Sequence, residues 1–70
     1  MKISARNALK GKVVKLTKGA VNTLVVIEIA KGIQITSIIT GESATALKLA
    51  KGKPAYAVIK ASSVMIGVDE

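Results

Sequence analysis

The sequence predicts an all-β domain with one short helix, folded as a five-stranded OB-like Greek-key barrel. Three observations predict it. Val, Ile and Thr gather in short runs of strand length. Lys-Gly dipeptides at 10–11, 18–19, 31–32 and 51–52 punctuate those runs as bends and turns. One stretch rich in Ala and Leu interrupts the series between the third run and the fourth. Three strands, a short helix and two more strands is the element order of such a barrel.

The first strand is expected from about Ile3 to Leu16, bent near Lys10-Gly11, with a turn at Lys18-Gly19. Val21 to Ala30 is the second. Leu24, Val26 and Glu28 share one of its faces, and Thr23, Val25, Ile27 and Ile29 the other. Both faces are largely apolar, as expected where one lines a barrel and the other meets a neighbour. Lys31-Gly32 then closes a hairpin onto the third strand, Ile33 to Ile39. Thr40 or Gly41 can cap a helix through Ala44-Thr45-Ala46-Leu47-Lys48-Leu49-Ala50, Glu42 favours its positive end, and Lys51-Gly52 ends it. Pro54, suited to the first position of a strand, opens the fourth strand, which runs to Lys60. After the polar break Ala61-Ser62-Ser63, Val64 to Val68 is the fifth, and Asp69-Glu70 is an acidic tail.

Seventy residues make a single domain, 1–70, without repeat, linker or low-complexity segment. A chain this short is marginally stable alone and usually needs a disulfide, a metal or a partner subunit. It has no Cys and no His, which excludes disulfides and imidazole or thiolate metal sites. Oligomerisation remains. Half the residues are hydrophobic, yet there is no Trp or Phe and one Tyr, Tyr56. The core must be aliphatic, and so much aliphatic surface on so small a body favours burial between subunits. No apolar run approaches the roughly 20 residues of a membrane span. Met1 to Arg6 lacks the apolar stretch of a signal peptide, which, with the lack of Cys, points to the cytoplasm.

Eleven Lys and Arg against four Asp and Glu leave a net charge of +7. Such an excess suggests an anionic partner without naming it; scattered Lys also simply keep a surface soluble. Catalysis is not expected. The carboxylates Glu28, Glu42, Asp69 and Glu70 form no acid/base pair and no divalent-cation cluster, and there is no phosphate-binding Gly-rich loop.

Three polar stretches carry groups suited to a tetrahedral anion. Ser4-Ala5-Arg6-Asn7 holds the one Arg of the chain, whose planar fork of donors matches two oxygens of one anion. Thr40-Gly41-Glu42-Ser43 offers two hydroxyls and free N–H groups at a helix start, although ordinary N-capping accounts for the same residues. Lys60-Ala61-Ser62-Ser63 offers a charge, hydroxyls and loop N–H groups; a polar turn with an exposed Lys would read the same way. Arg, Lys, hydroxyl and amide N–H are all donors, the complement of a dianion that only accepts.

Ser4-Ala5-Arg6-Asn7, followed by Leu9-Lys10-Gly11-Lys12-Val13, resembles the start of the molbindins, or Mop proteins. The similarity continues through Ile35-Thr36-Ser37-Ile38-Ile39-Thr40, Ser43, Val58-Ile59-Lys60-Ala61 and Val64-Met65-Ile66, and covers essentially the whole chain. It implies an OB-like barrel assembled as a homohexamer, a trimer of dimers, with molybdate or tungstate bound at subunit interfaces and no organic cofactor. Carried over by motif, the anion contacts are Ser4, Arg6, Thr40, Ser43, Lys60 and Ala61. Ser62 joins them, although regulator and transporter versions of the domain often have Pro or Thr after Lys-Ala. A second kind of site near the threefold axis is implied without assigned residues. With no DNA-binding or ATPase domain in the sequence, the resemblance points to a stand-alone protein for intracellular storage or buffering of the oxyanion.

Two other functions fit parts of the sequence. A single-stranded nucleic-acid module would suit an OB-like barrel of this charge, but such surfaces rely on stacked aromatics and Tyr56 is alone. A purely structural oligomer would respond to no oxyanion. The expected partners are therefore the oxyanion and further copies of the chain, with neither nucleic acid nor membrane.

Overall fold

A computed structural model of the chain describes residues 1–69; of the acidic tail, Glu70 lies outside the described residues. The elements are β1 (Asn7–Lys18), β2 (Asn22–Ala30), β3 (Ile33–Thr40), a helix α1 (Gly41–Ala46), β4 (Pro54–Ile59) and a 3₁₀ turn (Ala61–Ser63). The strands form one antiparallel sheet in the order β3-β2-β1-β4. Three consecutive strands with the fourth returning beside the first is a Greek key.

The sheet curls because β1 changes partner along its length. Asn7 to Lys12 pairs with β4, and Lys12 to Lys18 pairs with β2. The bend expected near Lys10-Gly11 falls at this handover. A Cβ on Gly11 would lie 2.5 Å from the Glu28 carbonyl oxygen and 2.6 Å from the Ile27 side chain, so β1 crosses β2 at a distance only glycine allows. The ladder then slips by one residue between Val13 and Lys15, a bulge that increases the local twist. Val13, completely buried, anchors the crossing. Its N–H donates to the Lys53 carbonyl and its carbonyl accepts from Gly52 N–H, which straps the approach to β4 across β1.

Val13 packs with Val25, Ile27 and Ala57, and Leu16, Ile29, Ile35, Ile39, Leu49 and Ala55 close around them. The inward face of β2 is the Thr23, Val25, Ile27 face. Val26, on its other face, is buried as well, in keeping with the near-continuous apolar run. On β3 the inner residues are Ile35, Ser37 and Ile39, while Gln34, Thr36 and Ile38 face outward. Lys31-Gly32 makes the β2–β3 turn, and Gly32 takes the positive φ, +77°, that the turn requires. Among the described residues the buried apolar side chains are Val13, Val25, Val26, Ile27, Ala44 and Ala57, none larger than Ile. That is a thin core, and Val21, Ile33, Ile38, Met65, Ile66 and Val68 are each more than half exposed.

Three expectations need correction. The fifth strand is not formed: Val64 to Val68 joins no ladder, and four strands are present among the described residues. Strand-like composition was there, but pairing needs a free edge within reach, and the 3₁₀ turn does not lay the segment back along β4. The first strand starts at Asn7, not Ile3, because β4 ends at Ile59, opposite Asn7, and leaves nothing for Ile3 to Arg6 to pair with. The helix stops at Ala46, well before Lys51-Gly52. Its end is a Schellman-type cap: Leu49 N–H donates to Ala44 O, Lys48 N–H donates to Thr45 O, and Lys48 takes the left-handed conformation usually given to glycine, φ +53°. The Lys53 ammonium donates to the Lys48 carbonyl at 3.1 Å and helps hold that turn.

Candidate functional site

Ser4, Ala5 and Arg6 lie on the lead-in to β1. Asn7 ties that lead-in to the end of β4, as its ladder partner and through a side-chain hydrogen bond, Nδ2 to the Ile59 carbonyl at 3.4 Å. Lys60 follows Ile59 directly. The 3₁₀ turn then brings Ser62 round, with Ser63 N–H donating to Lys60 O at 2.8 Å and Val64 N–H donating to Ala61 O at 3.2 Å. The first N–H groups of such a turn find no acceptor inside it and are free for an outside one. Pairing β1 with β4 therefore brings together two stretches that are more than fifty residues apart in the chain.

The result is an open cleft of about 620 Å³ lined by Ser4, Ala5, Arg6, Val58, Lys60, Ala61 and Ser62. Five of the seven expected site residues, Ser4, Arg6, Lys60, Ala61 and Ser62, share this one surface. Its polar side chains are a guanidinium, an ammonium and two hydroxyls, and among the described residues no carboxylate lines it. Among the described residues the side-chain hydrogen bonds engage neither Arg6 nor Lys60. Nor do any three Asp, Glu, His or Cys gather as a cation site among them. Two cationic groups with no hydrogen-bond partner among the described side chains, and no carboxylate of the described residues lining the cleft, suit an anionic ligand. Sequence reasoning missed Ala5 and Val58 as walls of the cleft. Both are apolar and carry no signal of their own; only the β1–β4 register places them there.

Thr40 and Ser43 are not in this cleft. Thr40 is the last residue of β3 and pairs with Asn22, at the end of the sheet where Lys18 pairs with Thr23. The twelve residues of β1, which change partner at Lys12 and are bulged between Val13 and Lys15, run between that end and the cleft. Thr40 is the N-cap of α1: its Oγ1 accepts from Ser43 N–H at 3.1 Å and its hydroxyl donates to Ser43 Oγ at 2.9 Å. Capping thus accounts for Thr40, whereas the Ser43 hydroxyl keeps its own proton free to donate.

The two residues can be separated by experiment. Thr40→Ala removes the cap acceptor and should cost about 1 kcal/mol of stability. Ser43→Ala leaves the capping N–H in place and should cost less than about 0.5 kcal/mol. Urea unfolding midpoints at one fixed protein concentration check both. Equal losses would show that the hydroxyl pair, not the cap, holds α1.

Comparison with known proteins bears on what the cleft is for. The TOBE domain model matches residues 3–66. A probable molybdenum-pterin-binding protein of Haemophilus influenzae is 52% identical over 69 residues, covering 99% of this chain and 100% of the relative. Among solved structures, MopII from Clostridium pasteurianum, in an apo form, superposes with a TM-score of 0.90 at 52% identity, over 96% of this chain and 100% of that one. The cytoplasmic molybdate-binding protein ModG, with molybdate bound, superposes with a TM-score of 0.92 at 45% identity over 99% of this chain, which spans 49% of ModG. With the family model spanning nearly its whole length and relatives matched end to end at half identity, the chain belongs to the molbindin, or Mop, family of TOBE-domain proteins.

Proposed function

We propose that the protein, as a single Mop-type domain of residues 1–70, binds molybdate or tungstate reversibly and without covalent chemistry. It serves to store or buffer the oxyanion inside the cell, in the cytoplasm. The observation that carries this is the cleft in which Arg6, Ser4 and Lys60-Ala61-Ser62 converge with no carboxylate among them. Arg6 and Lys60 supply charge. The hydroxyls of Ser4 and Ser62 and the N–H groups of the 3₁₀ turn, Ala61 among them, fix oxygen positions. A lining dominated by donors suits an anion with no proton of its own; for the proton of a protonated phosphate, Arg6, Lys60 and the turn N–H groups offer no acceptor and only the two hydroxyls do. Sulfate is a smaller tetrahedron and would leave donors unmet. Relatives named for binding molybdenum or molybdate, one of them with molybdate in place, support the same ligand here.

The cleft on one chain is only part of the site. Thr40 and Ser43 lie toward the other end of β1 and do not line it. In our proposal they serve the cleft of a neighbouring copy, so each anion lies at a subunit interface. The thin core and the exposed Ile33, Ile38, Met65 and Ile66 favour an assembly, which we take to be a homohexamer built as a trimer of dimers. Anion bound between subunits then also stabilises the assembly by mass action.

Isothermal titration with molybdate, with sulfate as the control and light scattering for mass, tests this. The expected outcome is saturable molybdate binding by a hexamer, competition by tungstate and little response to sulfate. No molybdate heat from a folded protein freed of bound anion would overturn the proposal.

A further inference from the structure

Val58 is an apolar residue left half exposed at the edge of a polar cleft. We infer that it determines specificity: its isopropyl group backs the oxyanion with a surface that cannot hydrogen-bond, and so turns away a small, strongly hydrated anion such as sulfate. The inference rests on the oxyanion reading of that cleft.

Tyr56 and Val58 lie on the outer face of β4, since Ala55 and Ala57 pack into the core. Each has a ladder partner on β1. Tyr56 is opposite Lys10, whose ammonium stands over the ring at 5.9 Å from its centroid. Val58 is opposite Ala8, whose single methyl group covers little, and it stays 49% exposed. One step further along the ladder Asn7 pairs with Ile59, and directly beyond that pair come Arg6 and Lys60. Val58 lines the cleft together with both. An anion held between the two cations therefore has an isopropyl group on its β4 side. Val58 also lines an apolar groove of about 390 Å³ with Val25, Ile27 and Ile39, so the cleft borders an apolar space through it.

The consequence is a matter of hydration. An anion oxygen that leaves water for a methyl group loses hydrogen bonds that nothing replaces. At equal charge the penalty rises as the ion shrinks, because the Born solvation energy varies inversely with radius. Sulfate and molybdate are both tetrahedral dianions, and sulfate is the smaller. Arg6, Lys60 and the hydroxyls attract either, and the Coulomb term by itself favours the smaller ion, which can come closer. Charge thus gives no reason to prefer molybdate. The Val58 wall gives one: it penalises sulfate more than molybdate or tungstate. This effect is separate from the fit of oxygens to donors, since it arises where the cleft has no donor at all.

Val58→Thr tests it with almost no change of shape. The substitution exchanges a methyl group for a hydroxyl that can donate to the anion, and keeps the β-branched form that strands favour. A hydrogen bond to a charged group corresponds to about tenfold or more in affinity, and sulfate, which loses most at the wall, should regain most. The ratio of the sulfate to the molybdate dissociation constant should therefore fall about tenfold. Val58→Ala removes most of the wall without adding a donor and lets water reach that side of the anion. Its ratio should fall in the same direction, by less. Isothermal titration of the assembled protein gives both constants, molybdate directly and sulfate by competition, with ionic strength held constant by potassium chloride. Circular dichroism and thermal unfolding are read alongside. A loss of structure weakens both anions together, whereas the ratio reports on the wall. An unchanged ratio in folded Val58→Thr would overturn the inference, and so would Val58→Ala that discriminates as well as wild type. Wild-type protein that gives no molybdate heat would overturn the oxyanion reading and the inference with it. Wild type that prefers molybdate, beside Val58→Thr of equal preference, would overturn the inference alone.

Discussion

Arg6→Ala should weaken molybdate binding by about 100-fold while leaving the fold intact. The size follows from what a guanidinium does for a dianion. Hydrogen bonds to charged groups are worth roughly 1.5–3 kcal/mol each, and every 1.4 kcal/mol is tenfold in affinity. Loss of one well-used fork therefore falls near two orders of magnitude. The fold should be spared because Arg6 is exposed, precedes the first ladder pair at Asn7, and takes part in none of the side-chain hydrogen bonds of the described residues. Arg6→Lys separates charge from shape. It keeps a cation but replaces the planar fork with a point charge, so its affinity should fall between wild type and Arg6→Ala. Titration of each variant, with circular dichroism to check the fold, decides the matter. Unchanged affinity in a folded Arg6→Ala would remove Arg6 from the site.

That a variant at position 6 can be chosen at all shows how far residue chemistry carries. The donor character of Ser4, Arg6, Lys60 and Ser62 is intrinsic to the side chains, so they stand out as candidates before any coordinates. Their convergence is not intrinsic. It depends on Asn7 pairing with Ile59, a contact across most of the chain that no local pattern encodes. Ala5 and Val58 illustrate the same limit from the other side: they wall the cleft, and nothing in an Ala or a Val announces it. The Greek key was legible in the order of elements, three β-branched runs divided at Lys18-Gly19 and Lys31-Gly32, then a helix, then a further run from Pro54. The short helix was legible as a change of composition after Thr40. Its length was not, since the left-handed Lys48 is held by Ala44, Thr45 and Lys53 and not by its own preference. Val64 to Val68 is the most instructive case. Its composition is that of a strand, but composition cannot say whether an edge lies within its reach.

The largest loss of stability should come from a single methyl group, in Gly11→Ala. An Ala Cβ there would meet the Glu28 carbonyl oxygen at 2.5 Å, the Glu28 carbonyl carbon at 2.9 Å and Ile27 Cγ2 at 2.6 Å. A side chain can rotate away, but a carbonyl inside the β1–β2 crossing cannot move without moving the ladder. Overpacking of this kind usually costs about 1–3 kcal/mol and occasionally more. A core as small as this one rarely supplies more than roughly 3–5 kcal/mol in total. The substitution should therefore remove most of the stability of the chain. Gly41→Ala is the control, since its Cβ would come no closer than 3.4 Å to the Val21 carbonyl. Both changes stiffen the unfolded chain alike, an effect worth about 0.4–1 kcal/mol in favour of folding where the site tolerates it. Gly41→Ala should thus be neutral or slightly stabilising and Gly11→Ala strongly destabilising, so that the two differ in sign under thermal or urea unfolding. Similar midpoints for both would mean that β1 can retreat from β2 and that the close crossing is not what fixes the curl. If the crossing does fix it, anion binding should fall with stability in Gly11→Ala even though no ligand contact has changed. The β1–β4 pairing that joins Ser4 and Arg6 to Lys60 begins on one side of Gly11, and the core that holds β1 in place lies on the other.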